Sequence, residues 1–173
     1  MRIFGIDPGL DRTGWAVLEK TGAGPMKLAS AGLIHTEKGG PLGKRLLEIF
    51  DAVTAELLRS APDEIAIEEV FFSKRADTQA NTTHARGVIL LACEKMGVNI
   101  NAYNPKTIKK TLSGNGNADK KQMQRVVQLT LNLKEMPRPD DVADAMAAAI
   151  CHLRVAPFRA ALLKARARPA ARG

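Results

Sequence analysis

Four acidic residues have the surroundings expected of a catalytic site, namely Asp7, Glu68, Asp141 and Asp144. Asp7 follows a strand-like apolar run, and Glu68 follows Ile65-Ala66-Ile67. Asp141 and Asp144 are three residues apart, so on a helix they share one face. An acid inside an alanine-rich, core-facing helix is unfavourable unless it is paired or bound to a metal, and Asp144 is in that position.

Four carboxylates in one pocket predict a bound cation. Two like charges about 4 Å apart repel by on the order of 4 kcal/mol at an effective dielectric constant of about 20. Oxygen ligands in this number suit Mg²⁺ or Mn²⁺ rather than zinc, and two such ions stabilise the attacking and leaving oxygens in phosphodiester hydrolysis. Simpler interpretations remain open, because Asp7-Pro8-Gly9 alone is typical of a turn and Asp141 near a helix start is typical of a cap.

The hydrophobic pattern predicts an α/β fold that could bring these acids together. Residues 1–6, 13–19 and 27–36 have strand patterns separated by turn residues, which predicts an antiparallel meander. Strands over 64–72 and 98–103 then alternate with helices over 41–60 and 78–95. Three more helices are predicted over 105–112, 120–131 and 141–153.

The order of these elements predicts where the acids lie. Right-handed crossovers place strands one, four and five side by side and parallel, in a five-stranded mixed sheet flanked by helices. Asp7 and Glu68 then end neighbouring strands. The last predicted helix is rich in alanine, so its backbone can approach the sheet closely and bring Asp141 and Asp144 to the strand ends.

Composition favours a single domain. The chain has 173 residues with 45% hydrophobic content, which is enough for one sizeable core. Its apolar runs are far shorter than the ~20 residues that cross a bilayer, and the first residues do not have the pattern of an export signal. Cys93 and Cys151 lack metal-ligand spacing and are expected to be buried, reduced thiols. We therefore expect a cytoplasmic protein.

Positive charge is concentrated at the end of the chain. The net charge is +8, and six cations with no acid follow from position 154 onward, at Arg154, Arg159, Lys164, Arg166, Arg168 and Arg172. We expect residues 1–154 to form the folded domain and residues 155–173 a basic, flexible tail. Such a tail favours a nucleic acid partner, although a solubilising role is an equal alternative.

Five segments spread along the chain carry a family pattern. They are IFGIDPG at 3–9 with TGW at 13–15, AIEEVFF at 66–72, ARGV at 85–88, GNG at 114–116 with Ala118, Lys120 and Gln122, and DVADA at 141–145. In these segments the chain resembles the RuvC family of Holliday-junction resolvases. The resemblance implies a ribonuclease-H-like nuclease domain over residues 1–154. It also implies a metal-dependent DNA endonuclease of recombination and repair, which nicks two strands of like polarity across a four-way junction and leaves 5′-phosphates.

The resemblance assigns roles by position. The family's four metal-binding acids fall on the four acids already singled out. An aromatic that stacks on a base near the junction centre falls on Phe71, and two basic residues that face the scissile region fall on Lys109 and Lys120. Strand geometry alone does not choose between Phe71 and Phe72, and either could instead belong to the core. Participation of Glu69 and His84 is also left open.

The resemblance further implies a homodimer and a junction-binding and branch-migration partner, the RuvA–RuvB complex. A two-fold substrate is matched by a two-fold protein. The helix over 78–95 is the candidate dimer face, because small and apolar residues occur at Ala80, Ala85, Gly87 and Leu91; an ordinary core helix is the alternative. Lysines around residues 114–117, at Lys106, Lys109, Lys110, Lys120 and Lys121, can follow a phosphate backbone.

Two rival functions belong to other classes. An ATP-binding domain of the actin and sugar-kinase type also has Asp-x-Gly after its first strand, but such proteins normally carry two copies of the domain, which 173 residues do not accommodate. A non-catalytic junction-binding protein would keep the fold and the basic surface. Four acids in register argue against the second rival.

Overall fold

The computed structural model describes residues 1–69 and 76–167. Within them, the strands are β1 (Arg2–Asp7), β2 (Arg12–Lys20), β3 (Met26–His35), β4 (Glu64–Glu68) and β5 (Asn99–Tyr103). The helices are α1 (Leu42–Ser60), α2 (Ala76–Lys95), α3 (Pro105–Ser113), α4 (Lys120–Thr130) and α5 (Asp140–Ala167). None of the helices in these residues is long and apolar enough to cross a membrane.

The strands form one mixed sheet in the order β3-β2-β1-β4-β5. The β1–β2 and β2–β3 pairs are antiparallel, whereas β4 pairs in parallel with β1 on one side and β5 on the other. The sequence-based prediction of a five-stranded mixed sheet, with strands one, four and five adjacent and parallel, is therefore confirmed.

Each strand sends alternate side chains to opposite faces of the sheet, so the core has two layers. On one face Ile3, Leu18 and Ala66 pack with α3, α4 and α5. On the other face Phe4 and Ile67 pack with α1 and α2. Both predicted free thiols are buried, one in each layer.

Helix α5 lies unusually close to the sheet. A Cβ atom on Gly5 of β1 would overlap the carbonyl oxygen of Ala145, and one on Gly14 of β2 would overlap the carbonyl oxygen of Asp141. Only glycine fits at these two crossings, and the small alanine side chains of α5 complete the contact. The predicted close approach of the alanine-rich helix is confirmed, and it fixes the first turns of α5 above the ends of β1 and β2.

Helix α5 also extends further than the sequence indicates. It continues to Ala167 rather than ending at residue 153. The residues beyond 153 are mainly alanine, leucine, arginine and lysine, which are strong helix formers, and Pro157 removes only one backbone donor.

Arg154 belongs to the folded body rather than to a tail. Its guanidinium donates hydrogen bonds to the carbonyl oxygens of Thr111 at 2.9 Å and Leu112 at 3.2 Å, and to Thr130 Oγ1 at 3.3 Å. Arg154 thus joins the C-terminal ends of α3 and α4 to α5, where a cation favourably meets the unpaired carbonyls. The division of the chain after residue 154 stays a prediction.

A buried polar cluster fastens the middle of α5 to the sheet. The Tyr103 hydroxyl lies 2.7 Å from Nδ1 of His152, which is 1% exposed. His152 Nε2 is 3.4 Å from a carboxylate oxygen of Glu64, and that oxygen accepts a 2.7 Å hydrogen bond from Asn101. Both ring nitrogens of the buried His152 therefore have a polar neighbour, the Tyr103 hydroxyl on one side and the Glu64 carboxylate on the other.

Candidate active site

Asp7 and Glu68 lie side by side at one edge of the sheet. Asp7 is the last residue of β1 and Glu68 the last residue of β4. These strands are parallel neighbours, with Ile6 aligned to Ile67, so the next residue of each emerges at the same edge. This is the arrangement that the strand order predicts.

Three of the acids are half-buried, and neighbouring charges act on each of them. Burial, followed by the charges of Glu68, Asp144 and Asp141, raises the pKa of Asp7 to about 8. Burial, followed by the charge of Asp144, raises the pKa of Glu68 to about 7. Burial also raises the pKa of Asp144, while the charge of Lys120 opposes that shift. The two strand ends and the first turns of α5 therefore bring the predicted acids into one electrostatic cluster.

Asp141 has a different environment from the other three. Its carboxylate forms an ion pair with the guanidinium of Arg12, at the start of β2. The adjacent acid, Asp140, pairs with Lys120 at 2.7 Å and accepts a hydrogen bond from Gln124 at 2.8 Å. The sequence does not predict the ion pairs of Arg12 with Asp141 and of Asp140 with Lys120, because the paired residues are far apart in sequence.

The donor set fits a divalent cation in its chemistry. Carboxylate oxygens are the ligands that Mg²⁺ and Mn²⁺ prefer, and a cation would relieve the mutual repulsion that raises the pKa values of Asp7, Glu68 and Asp144. In the present arrangement, no three Asp, Glu, His or Cys side chains of residues 1–69 and 76–167 converge closely enough to hold an ion together. The pairing of Asp141 with Arg12 contributes to this, because it commits one of the four acids to another cation.

Two lysines face the acids from capped helices. Lys109 and Lys120 line a cavity of about 280 Å³ together with Glu68 and Asp144. Lys120 is the first residue of α4, whose start is fixed by a capping box: Gln122 N donates to the Asp119 side chain at 2.9 Å, and Asp119 N donates to the Gln122 side chain at 3.1 Å. Lys109 is on α3, whose first turn is capped by the Asn104 side chain. The structure thus brings both predicted lysines to the carboxylates.

A second cleft adjoins the cluster on the β2 side. It has a volume of about 480 Å³ and lies between the β1–β2 turn and the first turn of α5. Its basic residues are Arg12, Lys38 and Lys120, and Asn81 and Thr82 of α2 complete its wall. Asp11, Asp140 and Asp141 also line this cleft, and Lys120 borders both cavities.

Four further candidate positions are Phe71, Phe72, Glu69 and His84. Phe71 and its alternative Phe72 lie outside the described residues. Glu69 is half-buried, and its backbone N–H donates to the Tyr103 carbonyl at 2.9 Å. His84 is exposed on α2. The structure thus gives neither Glu69 nor His84 a contact with the acids that would extend the site.

A mixed sheet of this topology, with acids at the ends of adjacent parallel strands and on a crossing helix, defines a ribonuclease-H-like α/β protein. The yeast mitochondrial Holliday junction resolvase Ydc2 shares this fold, with a TM-score of 0.63 at 16% identity over 95% of this chain and 82% of that one. The family model described as crossover junction endodeoxyribonuclease RuvC matches residues 3–152. The chain belongs to the RuvC family of crossover junction endodeoxyribonucleases, as the sequence pattern predicts.

Individual relatives agree along almost the whole chain. The crossover junction endodeoxyribonuclease RuvC of Chloroflexus aggregans is 45% identical over 157 residues, which cover 91% of this chain and 95% of that protein. The Brevibacillus brevis protein of the same name is 45% identical over 160 residues, or 92% and 94% of the two chains. The T. thermophilus RuvC structure in complex with a Holliday junction substrate has a TM-score of 0.87 at 34% identity, covering 92% of this chain and 96% of that one.

Proposed function

We propose that this protein resolves four-way DNA junctions by paired, metal-dependent nicks in strands of like polarity, during recombination and repair. The observation that carries the proposal is the half-buried cluster of Asp7, Glu68 and Asp144, whose pKa values are raised by burial and by neighbouring carboxylates, beside Lys109 and Lys120. The similarity of this chain to T. thermophilus RuvC, whose structure was solved with a Holliday junction substrate, supports junction DNA as the substrate.

The proposed metal ligands are Asp7, Glu68, Asp141 and Asp144, which would hold Mg²⁺, with Mn²⁺ able to substitute and two ions per site. A divalent cation supplies an activated water and stabilises the charge that develops on the phosphate. The chain's own residues bind and orient the strand: Lys109 and Lys120 border the acids and carry the charge that attracts a phosphate. The capped starts of α3 and α4 fix the helices that carry the two lysines. Because a metal-activated water would attack the phosphate, no nucleophilic side chain is required.

Phe71 is the proposed base-stacking residue. Phe71 lies three residues after Glu68, the last residue of β4, and is therefore close to it in sequence. Stacking of an unpaired base on an aromatic ring contributes about 1–3 kcal/mol and is tolerant of base identity. A contact of this kind would hold the open centre of a junction near the acids.

A homodimer through α2 is the proposed assembly. Ala85 is buried in the core, whereas Ala80, Gly87 and Leu91 are exposed. These three exposed positions are seven and four residues apart, so they share one helix face, and a Cβ on Gly87 would meet nothing within 4 Å. The helix can therefore contribute to the core and still offer a small-residue face to a second copy. The RuvA–RuvB complex as delivering partner and a cytoplasmic location complete the proposal.

The proposal is tested with a synthetic four-way junction and a linear duplex that contains the same arm sequences. With Mg²⁺, we expect symmetric nicks in the junction, 5′-phosphate ends that a ligase reseals, and no comparable cutting of the duplex. With a chelator, cutting should stop. Binding without nicking would instead support a non-catalytic junction-binding protein, and equal cutting of both DNAs would contradict structure specificity.

A further inference from the structure

The ion pair between Arg12 and Asp141 is held in place by the backbone on both sides. Asp141 is in the first turn of α5, and its carbonyl oxygen lies where a Cβ on Gly14 would be, two residues beyond Arg12 along β2. The β1–β2 turn is closed by Thr13, whose hydroxyl donates to the Gly9 carbonyl at 2.7 Å. Arg12 and Asp141 therefore start from fixed positions, although they are 129 residues apart in sequence.

A second arginine, Arg45, engages the acid that is next to Arg12 in sequence. The carboxylate next to it in sequence, Asp11, is paired with Arg45, a buried arginine whose side chain is 8% exposed. Arg45 also donates a 2.8 Å hydrogen bond to Thr36, whose hydroxyl donates to the Leu10 carbonyl at 2.6 Å. Because Asp11 is engaged in this network, the acid that Arg12 contacts is Asp141.

We infer that Arg12 is a positioning residue that occupies Asp141 in the metal-free protein and must leave it when a divalent cation binds. The inference rests on the proposed role of Asp141 as a metal ligand. The guanidinium donates to Oδ2 of Asp141 and places a positive charge beside the group that would hold the ion, so the arginine and the metal compete for one carboxylate.

The surroundings permit this exchange. The Arg12 side chain is 44% exposed and the Asp141 side chain 25%, so the pair is partly in water and easily broken. The cleft of about 480 Å³ that Arg12 lines gives a released guanidinium room to turn away. Breaking a partly exposed pair of this kind costs little, so the metal affinity lost to Arg12 is expected to be roughly two- to five-fold.

The test measures metal binding to the DNA-free, full-length protein, for which activity is not needed. Free Mn²⁺ is counted by electron paramagnetic resonance during a titration of wild type, Arg12→Gln, Asp141→Asn and the double variant. Lys44→Gln is the matched control, because it removes one exposed cation that pairs with Glu48 on α1, away from the acids. We expect Arg12→Gln to bind Mn²⁺ about two- to five-fold more tightly than wild type, and Lys44→Gln to be unchanged.

The double variant separates competition at Asp141 from a general change in charge. If Arg12 acts through Asp141, Arg12→Gln changes nothing in the Asp141→Asn background. An equal gain in both backgrounds would show a long-range field effect and overturn the inference, as would an unchanged or weaker affinity of Arg12→Gln. Absence of Mn²⁺ binding by wild type would overturn the proposed metal site itself, and the Arg12 inference with it.

Discussion

Two segments of α5 bury polar groups in opposite ways. In the first turns, Asp144 lies with Asp7 and Glu68, where burial, and then neighbouring carboxylates, raise the pKa values of the acids. Farther along the same helix, His152 is even more buried, yet the Tyr103 hydroxyl lies 2.7 Å from its ring. The same sheet supports both segments. Polar partners at His152 fasten the helix to the sheet, whereas the acids around Asp144 destabilise the metal-free chain, and the proposed cation would offset that cost.

Removing the charge of a clustered acid gives the largest expected effect. Single changes Asp7→Asn, Glu68→Gln, Asp141→Asn and Asp144→Asn are each expected to slow junction nicking by at least about 100-fold, because a lost metal ligand removes several kcal/mol of transition-state stabilisation. Junction affinity should be nearly unchanged, since basic residues supply it. Initial nicking rates and binding curves measure the two quantities.

Glu48→Gln is the matched control for these variants, because Glu48 is an acid of α1 that pairs with Lys44 at the surface. It should nick at the wild-type rate. A clustered acid whose amide variant also nicks near that rate would be removed from the proposed site.

A substitution at His152 should lower the stability of the protein and leave nicking by the folded molecules nearly unchanged. His152→Leu removes the ring that contacts the Tyr103 hydroxyl and approaches Glu64, which leaves buried polar groups without that partner. We expect a loss of about 1–3 kcal/mol in the free energy of unfolding, measured with urea. Nicking per folded molecule should stay within about twofold of wild type. A variant of normal stability that no longer nicks DNA would show that the contrast between the two segments is wrong.

A smaller effect is expected on the stability of the metal-free protein. The folded pKa of Asp7, about 8, is above its ordinary value of 3.8, so between these values the folded state keeps a proton that the unfolded state releases. Stability therefore falls as pH rises through this range. Asp7→Asn removes this titration, so its unfolding free energy should equal that of wild type near pH 4 and exceed it by an amount that grows toward pH 8. Urea unfolding in a chelator measures the difference, and a constant difference between the two pH values would contradict the assignment.

The sequence predicts the acids' positions well because two short apolar runs, each buried on both faces of the sheet, end at an acid. These runs give β1 and β4 and hence the shared edge of Asp7 and Glu68, and three-residue spacing gives the common face of Asp141 and Asp144. These are local signals combined with a topological rule, and both survive folding unchanged.

Long-range side-chain pairing is what the sequence does not reveal. No local pattern connects Arg12 to Asp141, or His152 to Tyr103, because each contact depends on how α5 crosses the sheet. The prediction that α5 ends at residue 153 is wrong, because the helix continues to Ala167 although the basic composition of the residues after 154 indicated a flexible tail. The role of Phe71 stays a prediction.

We expect a divalent cation to relieve the repulsion among Asp7, Glu68 and the other acids of this cluster. This expectation is tested most directly by the unfolding temperatures of wild type and Asp7→Asn at pH 7.5, with a chelator and with saturating Mn²⁺. Without metal, Asp7→Asn should unfold at the higher temperature. With Mn²⁺ at about 100 times its dissociation constant, wild type gains about 2.7 kcal/mol, whereas Asp7→Asn, which lacks one proposed ligand, gains less, so the gap between the two unfolding temperatures narrows. Equal stabilisation of both proteins by Mn²⁺, with the gap unchanged, would contradict the proposed role of the cation.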